Sequence, residues 1–248
     1  MIGQNCGIKY FRASAAFQAE RNRLRRENSI TSYVEQLKAT LGSPQYAADV
    51  ERARGRLRAV RDELGELQEK LPPGVVNRLL NMAVAKDPTV EVLFRYDDVE
   101  EDNGGNPIVT WEPEQIGTIK GLEVWYDPNV RALFSVLNDI RQTMSEARIS
   151  REAGERKLKR WAEKLAELSR VVAGIEELER ALESFCLPEN LHLVCFTIPS
   201  HNDAIAVLRL ALARAGEQQG SEGEGRHLYN RLRMQIRERR GGRDFRIR

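Results

Sequence analysis

The most regular feature of the sequence is a run of apolar positions, spaced alternately by three and four residues, from Val50 to Leu71. This spacing places the whole run on one stripe of a helix and is typical of a coiled-coil seam. The same spacing returns from Leu158 to Ile175. We therefore expect two long helices that pack together antiparallel. The seam residues are Val50, Ala53, Leu57, Val60, Leu64, Leu67 and Leu71 in the first run, and Leu158, Trp161, Leu165, Leu168, Val172 and Ile175 in the second.

Helix boundaries are marked by proline, glycine and capping residues. Ser43 and Asp127 each precede a proline, a combination that starts helices, and Pro72-Pro73-Gly74 ends one. Ser200 and Asp203 have the spacing of a capping box. A polar stretch over 145–157 predicts a kink or a tip in the second coiled-coil arm. The predicted helices cover about 13–41, 44–71, 75–86, 127–144, 158–185 and 200–212.

Strand-like segments occur in the middle of the chain, where β-branched and aromatic residues cluster at 90–96, 107–111 and 116–126. The turn residues at 103–106 connect the first two segments. The nearly continuous apolar run 191–198 predicts a further strand, covered on both faces, that joins the same sheet. The predicted fold class is α+β, predominantly α, with long antiparallel coiled-coil helices projecting from a small head that contains the sheet.

The same pattern predicts five segments along the chain. Residues 1–71 form N-terminal helices including the first coiled-coil arm, and 72–126 a short helix and a β meander in the head. Residues 127–186 form the second arm, 187–216 a strand and helix that complete the head, and 217–248 a linker with an arginine-rich arm. The linker, 217–225, is rich in Gly, Gln and Glu and is expected to stay disordered.

Charge is distributed unevenly, although the net charge is only +2. Residues 226–248 contain nine arginines against Glu238 and Asp244, which gives this segment +7 and the rest of the chain −5. A helix with leucines on one face and arginines on the other suits a phosphate backbone, an acidic protein surface such as the body of this chain, or plain solvent. The candidate anion-binding residues are Arg226, Arg231, Arg233, Arg237, Arg239, Arg240, Arg243, Arg246 and Arg248.

Two other charged segments suggest weaker candidates. A second basic patch comprises Arg21, Arg23, Arg25 and Arg26, but the flanking Glu20 and Glu27 favour ordinary ion pairing along a helix. The acidic run 97–102 offers carboxylates of the kind that Mg²⁺ or Ca²⁺ binds. It lacks the spacing of a calcium loop, and its place beside the turn favours a solvated acidic loop.

No catalytic motif, metal-ligand spacing or cofactor fingerprint occurs in the sequence, so we expect no catalytic residue, metal or cofactor. The apolar runs are shorter than a membrane span, and three cysteines without a CxxC pair fit a reducing compartment. These features favour a soluble cytoplasmic protein that does not bind membranes.

The expected function is that of a non-enzymatic coiled-coil assembly subunit of a multi-subunit complex. Its coiled coil binds other subunits or a second copy, and its arginine-rich arm docks on an anionic partner, first of all nucleic acid. The alternative is a viral or phage structural subunit located in the virion. A third reading is a metal-dependent nuclease-like enzyme, which requires Asp97, Glu123 and Asp127 to converge on one cavity.

Overall fold

The computed structural model of the chain describes residues 15–101, 107–147, 153–216 and 220–248, with the backbone alone at 97–101 and 107–108. The described chain is mostly helical (75%) and contains a small three-stranded antiparallel sheet, which confirms the α+β class with a predominance of helix. The helices are α1 (Ala15–Leu41), α2 (Pro44–Lys70), α3 (Pro73–Ala85), α4 (Asp127–Glu146), α5 (Glu155–Ala166), α6 (Leu168–Phe185), α7 (Pro188–Val194), α8 (His201–Arg214) and α9 (Glu222–Arg239). The strands are β1 (Thr89–Glu101), β2 (Pro107–Thr118) and β3 (Phe245–Ile247), and a 3₁₀ turn covers Leu122–Trp125.

The chain forms two compact units. The first contains 1–55 and 133–173, and the second contains 56–132 and 174–248. Helices α2 and α6 pass from the first unit into the second, whereas α4 passes from the second into the first.

Local signals in the sequence account for most helix boundaries. The Ser200 hydroxyl accepts a hydrogen bond from the Asp203 backbone N–H, as a helix N-cap requires. Ser43 accepts one from the Tyr46 backbone N–H in the same way. The polar stretch 145–157 separates α4, which ends at Glu146, from α5, which begins at Glu155.

The residues of the two predicted seams are buried within this chain. All seven positions of the first run are at most 8% exposed, and in the second run Val172 is half-buried while the other five are buried. Apolar side chains buried in this way dominate the favourable free energy of folding. The stripe that would serve a partner is therefore covered by the chain's own residues.

The direction of these helices differs from the prediction. In the second unit, Arg56 of α2 pairs with Glu179 of α6 at 2.5 Å. Seven residues further along α2, Glu63 pairs with Arg214 at 3.3 Å. Burial raises the pKa of the Cys186 thiol, which directly follows α6, and the charges of Arg214 and Glu63 lie close enough to act on that pKa as smaller causes. Residue numbers on the two helices therefore rise together, so α2 and α6 run parallel here, and the predicted antiparallel packing is wrong.

The physical reason is the helix between them in the chain. Helix α4 stands between α2 and α6 in the chain, and the spacing of a seam does not specify how many helices separate it from the seam that it meets. In the first unit, α4 contacts both neighbours, since Arg141 pairs with Glu51 of α2 at 3.1 Å and Asp139 with Lys164 of α5 at 3.0 Å. Spacing alone identified the seams without revealing that α4 packs beside both α2 and α5.

The sheet has the strand order β2-β1-β3. Strands β1 and β2 form a long antiparallel hairpin, in which Leu93 opposes Pro113 and Arg95 opposes Trp111. The predicted third segment of the meander, 116–126, is a strand only to Thr118 and then forms the 3₁₀ turn. The predicted turn at 103–106 lies outside the described residues.

Residues 191–198 do not form a strand. Pro188 occupies the first turn of a short helix, α7, and the apolar run continues from it with Leu191 and Val194 fully buried. A short apolar run that is covered on all sides fits a buried helix as well as a buried strand, so periodicity could not separate the two. The helix still contacts the hairpin, because Leu193 packs against Gly117 of β2.

The predicted disordered linker is also wrong for residues 220–225. Ser221 and Glu224 form a reciprocal capping box that starts α9. Arg209 of α8 donates a hydrogen bond to the Gly220 carbonyl at 2.8 Å. The C-terminal segment is therefore joined to the second unit by a structured turn, whereas 217–219 lie outside the described residues.

We expect Leu57→Ala to lower the free energy of unfolding by about 2–5 kcal/mol, because it leaves a cavity in a fully buried part of the seam. The neighbouring Arg58→Ala should change it by less than about 0.5 kcal/mol, since Arg58 is exposed. Chemical denaturation of the two variants measures the difference. Equal, small losses would show that the seam is not buried.

Gly121 provides a second test of packing. Its φ is +69°, and a Cβ there would collide with the Ala181 carbonyl oxygen of α6. Gly121→Ala should therefore destabilise the second unit strongly, whereas Gly65→Ala, which meets open space inside α2, should stabilise the chain by about 0.5–1 kcal/mol. Thermal melts of the two variants should shift in opposite directions; shifts in the same direction would contradict this packing.

Candidate functional site

The arginine-rich segment begins with α9, which packs closely on α8. A Cβ at Gly225 would lie 3.0 Å from a methyl group of Ile205, so glycine allows the two helices to approach. Leu228 and Tyr229 are buried, and the Tyr229 ring stacks with Phe196 at 5.8 Å between ring centroids. The apolar face of the predicted arm therefore belongs to the core of the second unit.

After α9 the chain crosses the hairpin, where Glu114 of β2 anchors it. The Glu114 carboxylate pairs with Arg240 at 2.9 Å and with Arg243 at 3.2 Å, and accepts a hydrogen bond from the Tyr96 hydroxyl. This hydrogen bond raises the pKa of Tyr96. The Glu114 side chain is only 19% exposed, so its charge is screened less by water than that of an ordinary surface pair.

Four arginines of this segment lie over aromatic rings. Arg243 lies 4.6 Å from the centre of the Tyr96 ring and Arg246 lies 4.4 Å from that of Trp111. Arg240 lies 5.9 Å from the Phe94 ring. Arg233 lies 4.6 Å from the ring of Phe245, whose backbone carbonyl it also binds at 3.0 Å. Such cation–π contacts each contribute about 0.5–1 kcal/mol at exposed sites.

Strand β3 completes the attachment. It pairs with the edge of β1, with Phe245 opposite Phe94 and Ile247 opposite Val92. The Phe245 ring is buried between Phe94, at 5.5 Å, and Phe196, at 6.0 Å between ring centroids. The end of the predicted arm is therefore the third strand of the sheet, and Arg233, Arg240, Arg243 and Arg246 hold it there.

The remaining predicted arginines point outward or sit at the end of the chain. Arg226 forms an exposed pair with Glu222 at 2.9 Å, and Arg237 pairs with Asp244 at 3.0 Å. Arg231 and Arg239 are exposed and make no hydrogen bond or ion pair with the described residues. Arg248 lines a polar cavity of about 410 Å³ together with Arg78, Asp87, Thr89, Val90, Glu91, Phe196 and Thr197.

Two of the four arginines of the second basic patch form ion pairs, one along α1 and one with α5. Arg23 pairs with both Glu20 and Glu27 at 2.6 Å, and this raises the pKa of the Arg23 guanidinium. Arg26 pairs with Glu155 at 3.7 Å. Arg25 is exposed, and the Nε of Arg21 is buried without a hydrogen-bond partner among the described residues. The patch belongs to the first unit and the C-terminal arginines to the second.

The acidic run 97–102 was expected in a loop, but the backbone of 97–101 continues β1. Its side chains lie outside the described residues. Glu123 lines a cavity of about 340 Å³ with Ala83, Lys86, Pro88, Leu122, Tyr126 and Asn129, whereas Asp127 starts α4 and pairs with Arg131. Over the described part of the chain, no group of three or more His, Cys, Asp or Glu side chains could hold a metal ion.

Sequence reasoning missed Glu114, Tyr96 and Trp111 as the partners of the arginines. Two signals were available. Residues 89–118 contain eight acidic residues and one arginine, which gives a charge of −7 opposite to the +7 of residues 226–248. The short alternating sequence Phe245-Arg246-Ile247 also has the composition of a strand.

The comparisons with known proteins give no further guidance, since no protein-family model, curated protein or solved structure matches this chain. Among the described helices, none combines the length and apolar composition that a membrane span needs. The function is therefore inferred from the contacts described above.

We expect Glu114→Gln to loosen the C-terminal strand, because two guanidinium groups lose a charged acceptor. Amide hydrogen exchange at Phe245–Ile247 should become at least about tenfold faster, equivalent to about 1.4 kcal/mol of local stability. Glu112→Gln on the same strand is the matched control, because Glu112 is exposed and forms no ion pair with the described residues. Equal exchange in both variants would mean that Glu114 does not anchor the segment.

Proposed function

We propose that the protein is a non-enzymatic subunit of a multi-subunit complex and that the outer face of α9 binds nucleic-acid backbone. The observation that carries this proposal is that the arginines differ in their surroundings. Arg233, Arg240, Arg243 and Arg246 hold the C-terminal segment, whereas Arg226, Arg231 and Arg239 are exposed at different points around α9, and Arg226 among them pairs with Glu222. Outward arginines on a helix suit phosphates, because each guanidinium presents a planar fork of donors.

Burial of the apolar face of α9 favours a phosphate backbone over a protein partner. A protein interface needs apolar contacts at its centre. Leu228 is buried, and Leu232 and Ile236 are half-buried. The outer face therefore offers mainly charged and polar groups, with Met234, 60% exposed, among them. Such a surface binds chiefly through the release of counterions from the nucleic acid.

The size of the outward set limits the strength of binding. Three phosphate contacts give a salt dependence with a slope of about −3, whereas nine contacts would give about −8. We therefore expect binding without sequence preference in the micromolar range, of the kind that positions a subunit on nucleic acid within a larger complex.

For the assembly role we propose α1 in place of the predicted seam. The seam residues of α2 are buried in this chain, whereas most of α1 between residues 15 and 29 is exposed, including Leu24 at 47%. A helical stretch as short as residues 15–29 is only marginally stable in water without packing. Another subunit or a second copy that covers this part of α1 would extend the helical packing of the first unit.

Fluorescence anisotropy with a labelled random duplex and a labelled random single strand tests the nucleic-acid proposal. Between 50 and 200 mM salt the affinity should fall about 40-fold, as three phosphate contacts require. The variant Arg231→Glu with Arg239→Glu should bind at least about tenfold more weakly at 50 mM salt and show a slope near −1.

The matched control is Arg58→Glu with Arg170→Glu, which changes the net charge equally at two exposed arginines on other helices. It should bind nearly as the unsubstituted protein does. Absence of binding at 50 mM salt, or equal losses in the two double variants, would refute the assignment of the α9 face.

A further inference from the structure

The contacts of the hairpin have the features of a peptide-binding site that the chain itself occupies. Residues 240–248 carry four arginines and one acidic residue, and they lie on the hairpin where Glu114 supplies a carboxylate. Arg240, Arg243 and Arg246 recur every third residue. Each of the three lies over a different ring of the hairpin, as described above.

Three kinds of contact act together here. Glu114 binds the first two arginines, which fixes the position of the segment along β2. The rings of Tyr96 and Trp111 contact the second and third arginines. The edge of β1 supplies backbone hydrogen bonds to β3, and the Arg95 N–H donates to the Asp244 carbonyl at 2.9 Å. Addition of an extended segment to a sheet edge, with side chains read in neighbouring pockets, is a general mode of peptide recognition.

We propose that the hairpin is a binding site for arginine-rich peptide segments with the spacing Arg-x-x-Arg-x-x-Arg, and that its ligand in trans is residues 240–248 of a second copy of this chain. In one isolated copy the site is filled in cis, because the tether holds the segment at a millimolar effective concentration. When the cis segment is displaced, two copies exchange their C-terminal segments reciprocally. This inference goes beyond nucleic-acid binding and uses different arginines.

Two features favour a second copy as the ligand: the charge of its C-terminal segment and the spacing of the arginines along that segment. The arginines of the segment meet the site at every third residue, and the segment, with a net charge of +3, binds the Glu114 carboxylate, so each copy offers both halves of the complementary pair. An exchanged pair would reproduce each contact seen here, with Glu114 of one copy binding Arg243 of the other. Reciprocal exchange of an identical element is a low-cost route to a dimer.

A pair of full-length charge-reversal variants tests the proposal. The variant Arg243→Glu keeps an intact hairpin site, but Glu114 of that site repels the altered segment of the same chain. The variant Glu114→Arg keeps an intact segment, but the altered site of the same chain repels Arg243. Analytical ultracentrifugation should show each variant alone as a monomer and an equimolar mixture as a heterodimer. The chain carrying both substitutions restores the pair in cis and should be monomeric.

A labelled peptide with the sequence of residues 239–248 provides a measurement that does not depend on the folding of those variants. It should bind Arg243→Glu and the milder Arg246→Ala at least tenfold more tightly than the unsubstituted chain, whose site is filled. Replacing the arginines of the peptide by lysine should weaken its binding, because an ammonium lacks the planar fork.

The outcomes are distinct. Absence of a heterodimer together with absence of peptide binding would overturn the proposal, and so would equal dimerisation of each variant alone. Peptide binding without a heterodimer would overturn the choice of a second copy as the ligand. Arg226, Arg231 and Arg239 are unchanged in all these variants, so each variant should bind nucleic acid as the unsubstituted chain does. A failure of nucleic-acid binding would therefore count against the proposed role of α9 and not against the peptide site.

Discussion

The place of the C-terminal segment in the second unit depends on the carboxylate of Glu114, which fixes this segment to the hairpin. It receives two arginines and one tyrosine hydroxyl while only 19% of its side chain is exposed. Without these contacts a strand of three residues would be too short to hold the edge of a sheet by its backbone alone. Through β3 they also keep Phe245 in the aromatic core. A segment that looks like a charged tail is thus part of the fold.

Helix positions could be predicted because their signals are local. Ser200 caps α8 through an N–H three residues away, and Pro44 starts α2 directly after the cap at Ser43. The seams could be predicted because apolar positions every three or four residues require burial on one side. Long-range features lacked such signals. The run 191–198 is apolar except for His192 and Thr197, so it has no polar face whose period distinguishes a helix from a strand.

Pairing between distant residues explains the other differences. Nothing within residues 44–71 specifies whether the next seam lies on the following helix or on the one after it, so the parallel direction of α2 and α6 had to come from the fold. Likewise β3 has only three residues, and its identity depends on the free edge of β1, about 150 positions earlier. The opposite charges of residues 89–118 and 226–248 indicated that these two segments attract each other. Composition alone could not show that Arg240 and Arg243 bind Glu114.

The arginines of residues 226–248 differ in their surroundings, because Arg233, Arg240, Arg243 and Arg246 attach the C-terminal strand, whereas Arg231 and Arg239 are exposed. The central claim is that Glu114 anchors this strand, and a double-mutant cycle between Glu114→Gln and Arg243→Gln tests it most directly, because it isolates the coupling of one anchoring pair. We predict that the loss in the free energy of unfolding of the double variant differs from the sum of the two single losses by about 0.5–3 kcal/mol. Losses that add to within about 0.3 kcal/mol would contradict it, since the two side chains would then contribute independently.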